Sequence, residues 1–429
     1  MHTLPLAGIR KRKVLLQPLI AVLVRVWLAC LLAALAACSS TQTSVAPLGQ
    51  ASFALYQAET RQWLEEHRHF QGPDKAAELD WNMPQEWRPA GVPSKGVLLV
   101  HGLGDSPWSF CDLGPELARQ GFLVRSVLLP GHGTQPADLM HPSLADWRQV
   151  VREQAAILAR EVAQIYLGGF STGANLVVDY ALDNPEVAGL LLFSPAFKSD
   201  SAYDWVTPWI AWARPWLRIP DANRPQQTPV RYLNTPTNGF AQFYRSSAAV
   251  RSGLARKTYD KPALLVTVRH DSVLDVRHTL ETFTKRFTHP SSRLVWYGSL
   301  PEGTSVPPRV LVRSDYLPEQ RISQFSHMGV LFSPRNPLYG EQGGLRLCWN
   351  GQDEDGLRQC MEGAQVWYSA WGYREPGKIH ARLTFNPYFD WQAEVMAQVL
   401  KAAEKDAMQG GNDARCALSV SQYSTLQIK

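Results

Sequence analysis

Gln164-Ile165-Tyr166-Leu167-Gly168-Gly169-Phe170-Ser171-Thr172-Gly173 is a short apolar run that stops at a serine set between two glycines. Its first five residues have the composition of a buried strand, and residues 174–182 that of a helix. A G-x-S-x-G at such a junction mounts the serine on a very tight turn. The neighbours must then be small, and the strained backbone pushes Oγ out above the sheet. Taken alone the pentapeptide is a weak signal, and its flanks decide the case.

Upstream, Gly96-Val97-Leu98-Leu99-Val100 is a continuous apolar run that breaks at His101-Gly102, as a strand buried on both faces should. A helix over 111–120, a strand over 123–128, a Gly-rich loop and a helix over 144–162 lead to the nucleophile strand. Residues 187–193 form the next predicted strand, ending in Ser194-Pro195-Ala196. Regularity lapses from Phe197 to Tyr259. It resumes with a strand over 263–268, a helix over 276–287, a strand over 293–297 and a last helix over 391–405. Near the start, residues 57–70 predict a surface helix, and Glu78-Leu79-Asp80-Trp81 opens strand-like structure ending near Pro89. This alternation predicts an α/β protein with a mostly parallel sheet, helices on both faces and an inserted cap.

The predicted core is 56–196 and 260–429. Residues 197–259 are the cap, lying over the strand C-terminal edge where open α/β sheets bind ligands. Within the cap Trp205, Trp209, Trp212 and Trp216 recur at helical spacing, with Pro208 and Pro215 limiting regularity. They either pack the cap onto the core or form an apolar lid for an acyl chain or aromatic group. Trp349, Trp367 and Trp371 predict a packed extension over 339–380.

Four motifs stand in order: Val100-His101-Gly102-Leu103-Gly104, Leu129-Pro130-Gly131-His132-Gly133-Thr134, Gly169-Phe170-Ser171-Thr172-Gly173 and Phe193-Ser194-Pro195-Ala196. Their order and spacing resemble the monoglyceride-lipase-like and carboxylesterase-like α/β-hydrolases, the serine aminopeptidase S33 or lysophospholipase-like group. The resemblance covers residues 97–327, specific in the first half and looser after Ala196. It implies the α/β-hydrolase fold and hydrolysis of carboxylic esters, acyl-glycerol or lysophospholipid-like, without a cofactor. A thioesterase, a peptidase or an acyltransferase uses the same machinery. A hydrolase-fold binding lipoprotein without activity is the reading from another class.

In this fold the triad runs Ser, acid, His, with acid and base in loops past strand ends. After Ser171 the first such acid is Asp271; Asp275 lies one turn further on, where an N-cap is its plainer role. His278 falls within a predicted helix and His289 precedes Pro290. His327, in a small-residue loop between apolar segments, is the expected base, with His380 its rival. Ser171 is then the nucleophile, His327 the general base and Asp271 the group that fixes its tautomer. The backbone N–H groups of Leu103 and Thr172 are the expected oxyanion donors. For His101 a structural role in its loop is the better reading. The long path from Tyr297 to His327 requires a loop, such as 301–308, to bulge out.

Residues 1–37 hold Arg10, Lys11, Arg12, Lys13 and Arg25 and no acid; removing these five from 43 basic residues leaves 38 against 38 acidic. Nothing in that balance argues for nucleic acid or a polyanionic partner. The basic start, the apolar stretch and Leu35-Ala36-Ala37-Cys38-Ser39 resemble the signal and lipobox of bacterial lipoproteins. Residues 1–37 are then a signal peptide, Cys38 the lipidated residue and 38–55 a tether. The expected location is the cell envelope, at the outer membrane of a Gram-negative bacterium. A transmembrane anchor is disfavoured by Gln17, Pro18 and Arg25 within the apolar stretch. Export leaves Cys111, Cys348, Cys360 and Cys416, of which Cys348 and Cys360 close a short polar loop and are the expected disulfide. Cys111 with Cys416 is what remains. No Cys/His spacing suggests a metal.

Overall fold

The computed structural model describes residues 46–221, 224–303 and 305–425, with side chains as far as residue 407. The signal segment, the lipidation site Cys38 and the start of the tether lie outside the described residues. Among the described residues no helix is long and apolar enough to cross a membrane.

Two helices, α1 (Phe53–His67) and α2 (Lys75–Asn82), precede the sheet. The start of the strand-like structure expected from Glu78 to Pro89 is therefore helical, and only Glu86–Trp87 within it forms a strand. Asp74 caps α2 by accepting from the Ala77 N–H, and Asn82 donates back to the Glu78 carbonyl. Glu78 is buried because Arg68 donates to its carboxylate at 2.6 and 3.0 Å, and the Gln71 and Gly72 amides complete its shell. These partners, all within ten residues of Glu78, override the local alternation.

The elements that follow are β1 (Glu86–Trp87), β2 (Lys95–Val100), α3 (Leu113–Arg119), β3 (Phe122–Val127), α4 (Leu144–Ala159), β4 (Gln164–Phe170), α5 (Thr172–Asp183) and β5 (Val187–Phe193). The cap segment contains a short α6 (Thr207–Ile210) and then α7 (Thr237–Arg256), after which come β6 (Ala263–Val268), α8 (Val276–Arg286), β7 (Arg293–Tyr297) and β8 (Val310–Arg313). The chain closes with α9 (Glu354–Met361), β9 (Trp367–Ser369), β10 (His380–Arg382) and α10 (Phe389–Thr425).

Eight strands pair in the order β1-β3-β2-β4-β5-β6-β7-β8, with only β1 antiparallel to its neighbour. Alternate residues of the central strands feed two cores. In β2, Leu98 and Val100 join a cluster with Trp147, Val150 and Ala155 of α4, while Val97 and Leu99 join one with Leu117 of α3 and Val399 of α10. Both faces are thus covered, which is why these strands read as unbroken apolar runs. Ser143 and Asp146 form a capping box at the start of α4. This topology is the α/β-hydrolase fold.

The helix α7, 20 residues long, stands in the stretch expected to be irregular. Its inner face mixes small and polar residues with only Phe243, Val250 and Leu254 as large apolar ones, so its apolar content is low. It packs on α5 through Ser246 and Ser247, which both accept from the Asn175 amide. The strand β8 was also not expected; it lengthens the sheet within the long path from Tyr297 to His327. α10 extends well beyond the expected 391–405. Tyr339–His380 forms a packed extension with a small parallel sheet, β9 with β10. A disulfide joins Cys348 to Cys360. Cys111 is a free thiol whose sulfur accepts the Asn336 amide at 3.1 Å, and the side chain of Cys416 lies outside the described residues.

In the tryptophan stripe of the cap Trp216 is half-buried, and the other three face solvent rather than pack. Trp205, Trp209 and Trp212 are 53%, 73% and 85% exposed, because the helix begun at Thr207 ends after one turn.

Candidate functional site

β4 delivers Ser171 at its C-terminal end. The serine adopts φ 54° and ψ −115°, a left-handed conformation that a side-chain-bearing residue reaches only under strain. Its amide donates to the Phe193 carbonyl of β5, which holds the turn. The flanking glycines are obligatory. A Cβ on Gly169 would lie 2.5 Å from the Gly173 carbonyl, and one on Gly173 would overlap the Val100 carbonyl of β2. The serine is buried apart from a small opening, with 6% of its surface exposed.

The structure brings Asp271 and His327 to this serine. Asp271 leaves the end of β6; its Oδ1 accepts from the Val273 and Leu274 amides at 2.8 and 3.1 Å. Its Oδ2 lies 2.6 Å from His327 Nδ1. An ionised carboxylate only accepts, so Nδ1 carries the proton and donates. The neutral ring then presents a lone pair at Nε2, which sits 3.0 Å from Ser171 Oγ. The Asp271 carboxylate is fully buried and the His327 ring nearly so, so water does not compete for this chain. The other histidines and the other acid lie elsewhere. Asp275 caps α8 through the His278 amide. His289 pairs with Asp406, and His380 is buried with Nδ1 at 3.1 Å from Ser369 Oγ.

The loop after β2 closes over the serine. A Cβ on Gly102 would lie 3.1 Å from the Ser171 Cβ and 3.0 Å from the Phe170 ring, so glycine eases this close approach. Two buried histidines shape the loop. The Leu129 amide donates to His101 Nε2, and the Gly104 amide donates to His132 Nε2, each at 3.0 Å. Both rings are therefore neutral, with the proton on Nδ1: His101 donates to the Gly102 carbonyl, and His132 lies against the Leu129 and Pro130 carbonyls. Burial lowers both, His132 to about 4. Because His132 occupies the Gly104 amide, that amide is not free to face the serine, and the preceding amide on this loop is that of Leu103. The Leu103 and Thr172 amides have no acceptor among the described residues.

Two residues of the site were not anticipated from sequence. Ser194, at φ 42°, donates its hydroxyl to the His327 carbonyl at 2.8 Å and so fixes the histidine loop. His132 buttresses the loop after β2 by accepting from the Gly104 amide. Both stood in quoted motifs, but nothing local says what they touch. Beside the site, Ser272 and Val273 join Ile210, Leu217, Phe240 and Phe243 around a mostly apolar cavity of about 700 Å³. Phe243 also packs with Leu103, Ala196 and Leu274. Among the described residues no cluster of three or more His, Cys, Asp or Glu could hold a metal.

Residues 91–300 match the serine aminopeptidase S33 family. A thermostable monoacylglycerol lipase from Bacillus sp. (strain H-257) is 29% identical over 180 residues, 42% of this chain and 71% of the relative. Among solved structures, a metagenome-derived lipolytic enzyme described with LipS and LipT is 25% identical, at a TM-score of 0.44, over 50% of this chain and 86% of its own. A soluble variant of monoglyceride lipase from Saccharomyces cerevisiae is 17% identical, at a TM-score of 0.41, over 50% and 81%.

Proposed function

We propose that this α/β-hydrolase is a serine esterase that cleaves carboxylic esters of lipid-like acids through an acyl-enzyme. The observation that carries the reading is the hydrogen-bonded chain from Asp271 through His327 to Ser171 on its strained turn. Ser171 Oγ attacks the ester carbonyl as His327 Nε2 takes its proton. The Leu103 and Thr172 amides receive the oxyanion, and Asp271 stabilises the imidazolium. His327 then gives the proton to the departing alcohol. Water, deprotonated by the same ring, attacks the acyl-enzyme and releases the acid. No step needs a cofactor.

The cavity under Phe240 and Phe243 is where the acyl chain goes, and the likeness to a monoacylglycerol lipase supports a lipid ester. The exposed Trp209 and Trp212 belong to the lid over it. Residues 1–37 act as an export signal and Cys38 as the acylated N-terminus, which puts the enzyme in the cell envelope, held to the membrane by lipid.

A fluorophosphonate probe should label the native protein and not Ser171→Ala; equal labelling of the two overturns the reading. Turnover of p-nitrophenyl esters should rise from acetate to medium chains, and no dependence on chain length would remove the acyl cavity from the account. Metabolic palmitate labelling should vanish in Cys38→Ala.

A further inference from the structure

A second cavity, of about 460 Å³, lies between the cap loop 224–233 and the C-terminal extension 345–382. Its chemistry differs from that of the acyl cavity. Arg224, Arg231, Arg346 and Arg382 line it together with Trp349 and Trp371, and among the described lining residues there is no carboxylate. Like charges in a shared, partly desolvated space repel, and each guanidinium loses hydration on entering it. Such a cluster is expected where an anion completes it.

The protein offsets these side chains only in part, through Asp105 beside Arg231 and the charge of Asp271 acting on Arg382. Arg382 donates to the Asn350 side chain at 2.7 Å, a neutral partner, and its other contact is the Trp349 carbonyl. Burial and the neighbouring Arg231 lower Arg382 to about 9, against the opposing charge of Asp271, and it remains charged at neutral pH. The Arg231 Nε is buried without a hydrogen-bond acceptor; its nearest carboxylate oxygen, on Asp105, is 3.5 Å away. Arg224 lies over the face of Trp349, with Cζ 4.9 Å from the ring centroid, which orients a guanidinium beside an aromatic wall.

The cavity adjoins the reaction centre through Arg231. That side chain reaches Asp105, which follows the oxyanion loop, and donates to the sulfur of Met328, the residue after His327. Half of the wall, including Arg346, Arg382, Trp349 and Trp371, comes from beyond the segment that matches the S33 family.

We propose that this cavity binds the oxyanion headgroup, a phosphate or carboxylate, of the amphiphilic ester cut at Ser171. The assignment rests on the esterase reading above: the acyl chain occupies the apolar cavity, and the alcohol portion, carrying the anion, lies toward Arg231 and Arg382.

The test is calorimetric binding to full-length Ser171→Ala protein, with three probes below their micellar concentrations: 1-decanoylglycerol, its 3-phosphate and inorganic phosphate. The phosphate ester should bind about ten-fold or more tightly than the neutral ester, as two charge-assisted contacts require. Arg382→Gln should remove most of that difference, and so should Arg224→Gln on the opposite wall, which guards against a folding defect in the first. Equal affinity for the two esters, or discrimination that survives in both variants, overturns the proposal. Inorganic phosphate binding as tightly as the phosphate ester would assign the site to a free anion and overturn the headgroup role. The esterase reading fails separately, by absence of turnover of a neutral p-nitrophenyl ester by the native protein, whatever the binding results.

Discussion

The Ser171 turn and the His327 loop place two atoms 3.0 Å apart, yet they are built in opposite ways. Five consecutive residues make the turn. Its glycines, its strand and its helix are contiguous, and the tight contact with Val100 comes from the neighbouring strand β2. The His327 loop arrives after a long excursion through β8 and has little regular structure of its own. It is held at a distance, by Ser194 from β5 and by the Leu383 carbonyl, which accepts the Ser326 hydroxyl. A local device is written in a motif; a device assembled from remote parts is written in its partners.

Perturbations of each should separate these designs. The largest effect is expected for Asp271→Asn, which keeps the shape but no longer favours the proton on Nδ1 of His327. Ester turnover should fall about 10³- to 10⁴-fold, read as kcat on a p-nitrophenyl ester with the fold checked by circular dichroism. A loss under ten-fold would mean that another acid serves His327.

Gly173→Ala attacks the turn itself. The added methyl meets the Val100 carbonyl, where backbone cannot yield cheaply, so we expect a cost of about 3 kcal/mol and a melting temperature lower by roughly 6 °C or more. Unchanged melting would show that the turn is looser than its contacts imply.

Acid should loosen the loop that faces the serine. His132 titrates near 6.5 when unfolded and at about 4 when folded, so between these values the unfolded chain binds more protons. Stability therefore falls as pH drops through that window, by about 2 kcal/mol between pH 7 and pH 5 from His132 alone. Urea unfolding at the two pH values measures this, and His132→Gln should flatten the difference; an equal slope in the variant would exclude His132 as its source.

Ser194→Ala removes the remote hold on His327. It should cost about 1 kcal/mol of stability and lower kcat about ten-fold with little change in KM, because the base is displaced while the cavities remain. A change confined to KM would contradict a positioning role. The smallest effect is expected for Asp275→Ala, which removes a helix cap worth about 1 kcal/mol and should leave turnover as it was.

Most of the sheet was legible because both of its faces are covered. Strands such as residues 96–100 and 187–193 stand out as apolar runs, and the helices between them keep their period. The exceptions have physical causes. α7 packs through Ser246, Ser247 and Gly253 as well as a few large apolar residues, so its apolar content is low for a buried helix. α2 reads as extended because the Pro229 carbonyl, which accepts from Arg68 and Asn82 and anchors it, lies about 150 residues further along the chain. The Trp series in the cap kept helical spacing without a helix long enough to use it.

Sequence by itself determined the nucleophile turn, the strand end that carries Asp271, the chain order that points to His327, and the short loop closed by Cys348 and Cys360. These are local or ordered features: small residues at a tight turn, or titratable residues just past apolar runs. Tertiary structure alone decided that His132 occupies the Gly104 amide and that Ser194 holds the His327 carbonyl. It alone brought Arg231 and Arg382 to one cavity from positions 151 residues apart in the chain. Hydrogen bonds and charge clusters between remote segments leave no periodic trace, because each residue's type is fixed by a partner that the chain supplies only once it has folded.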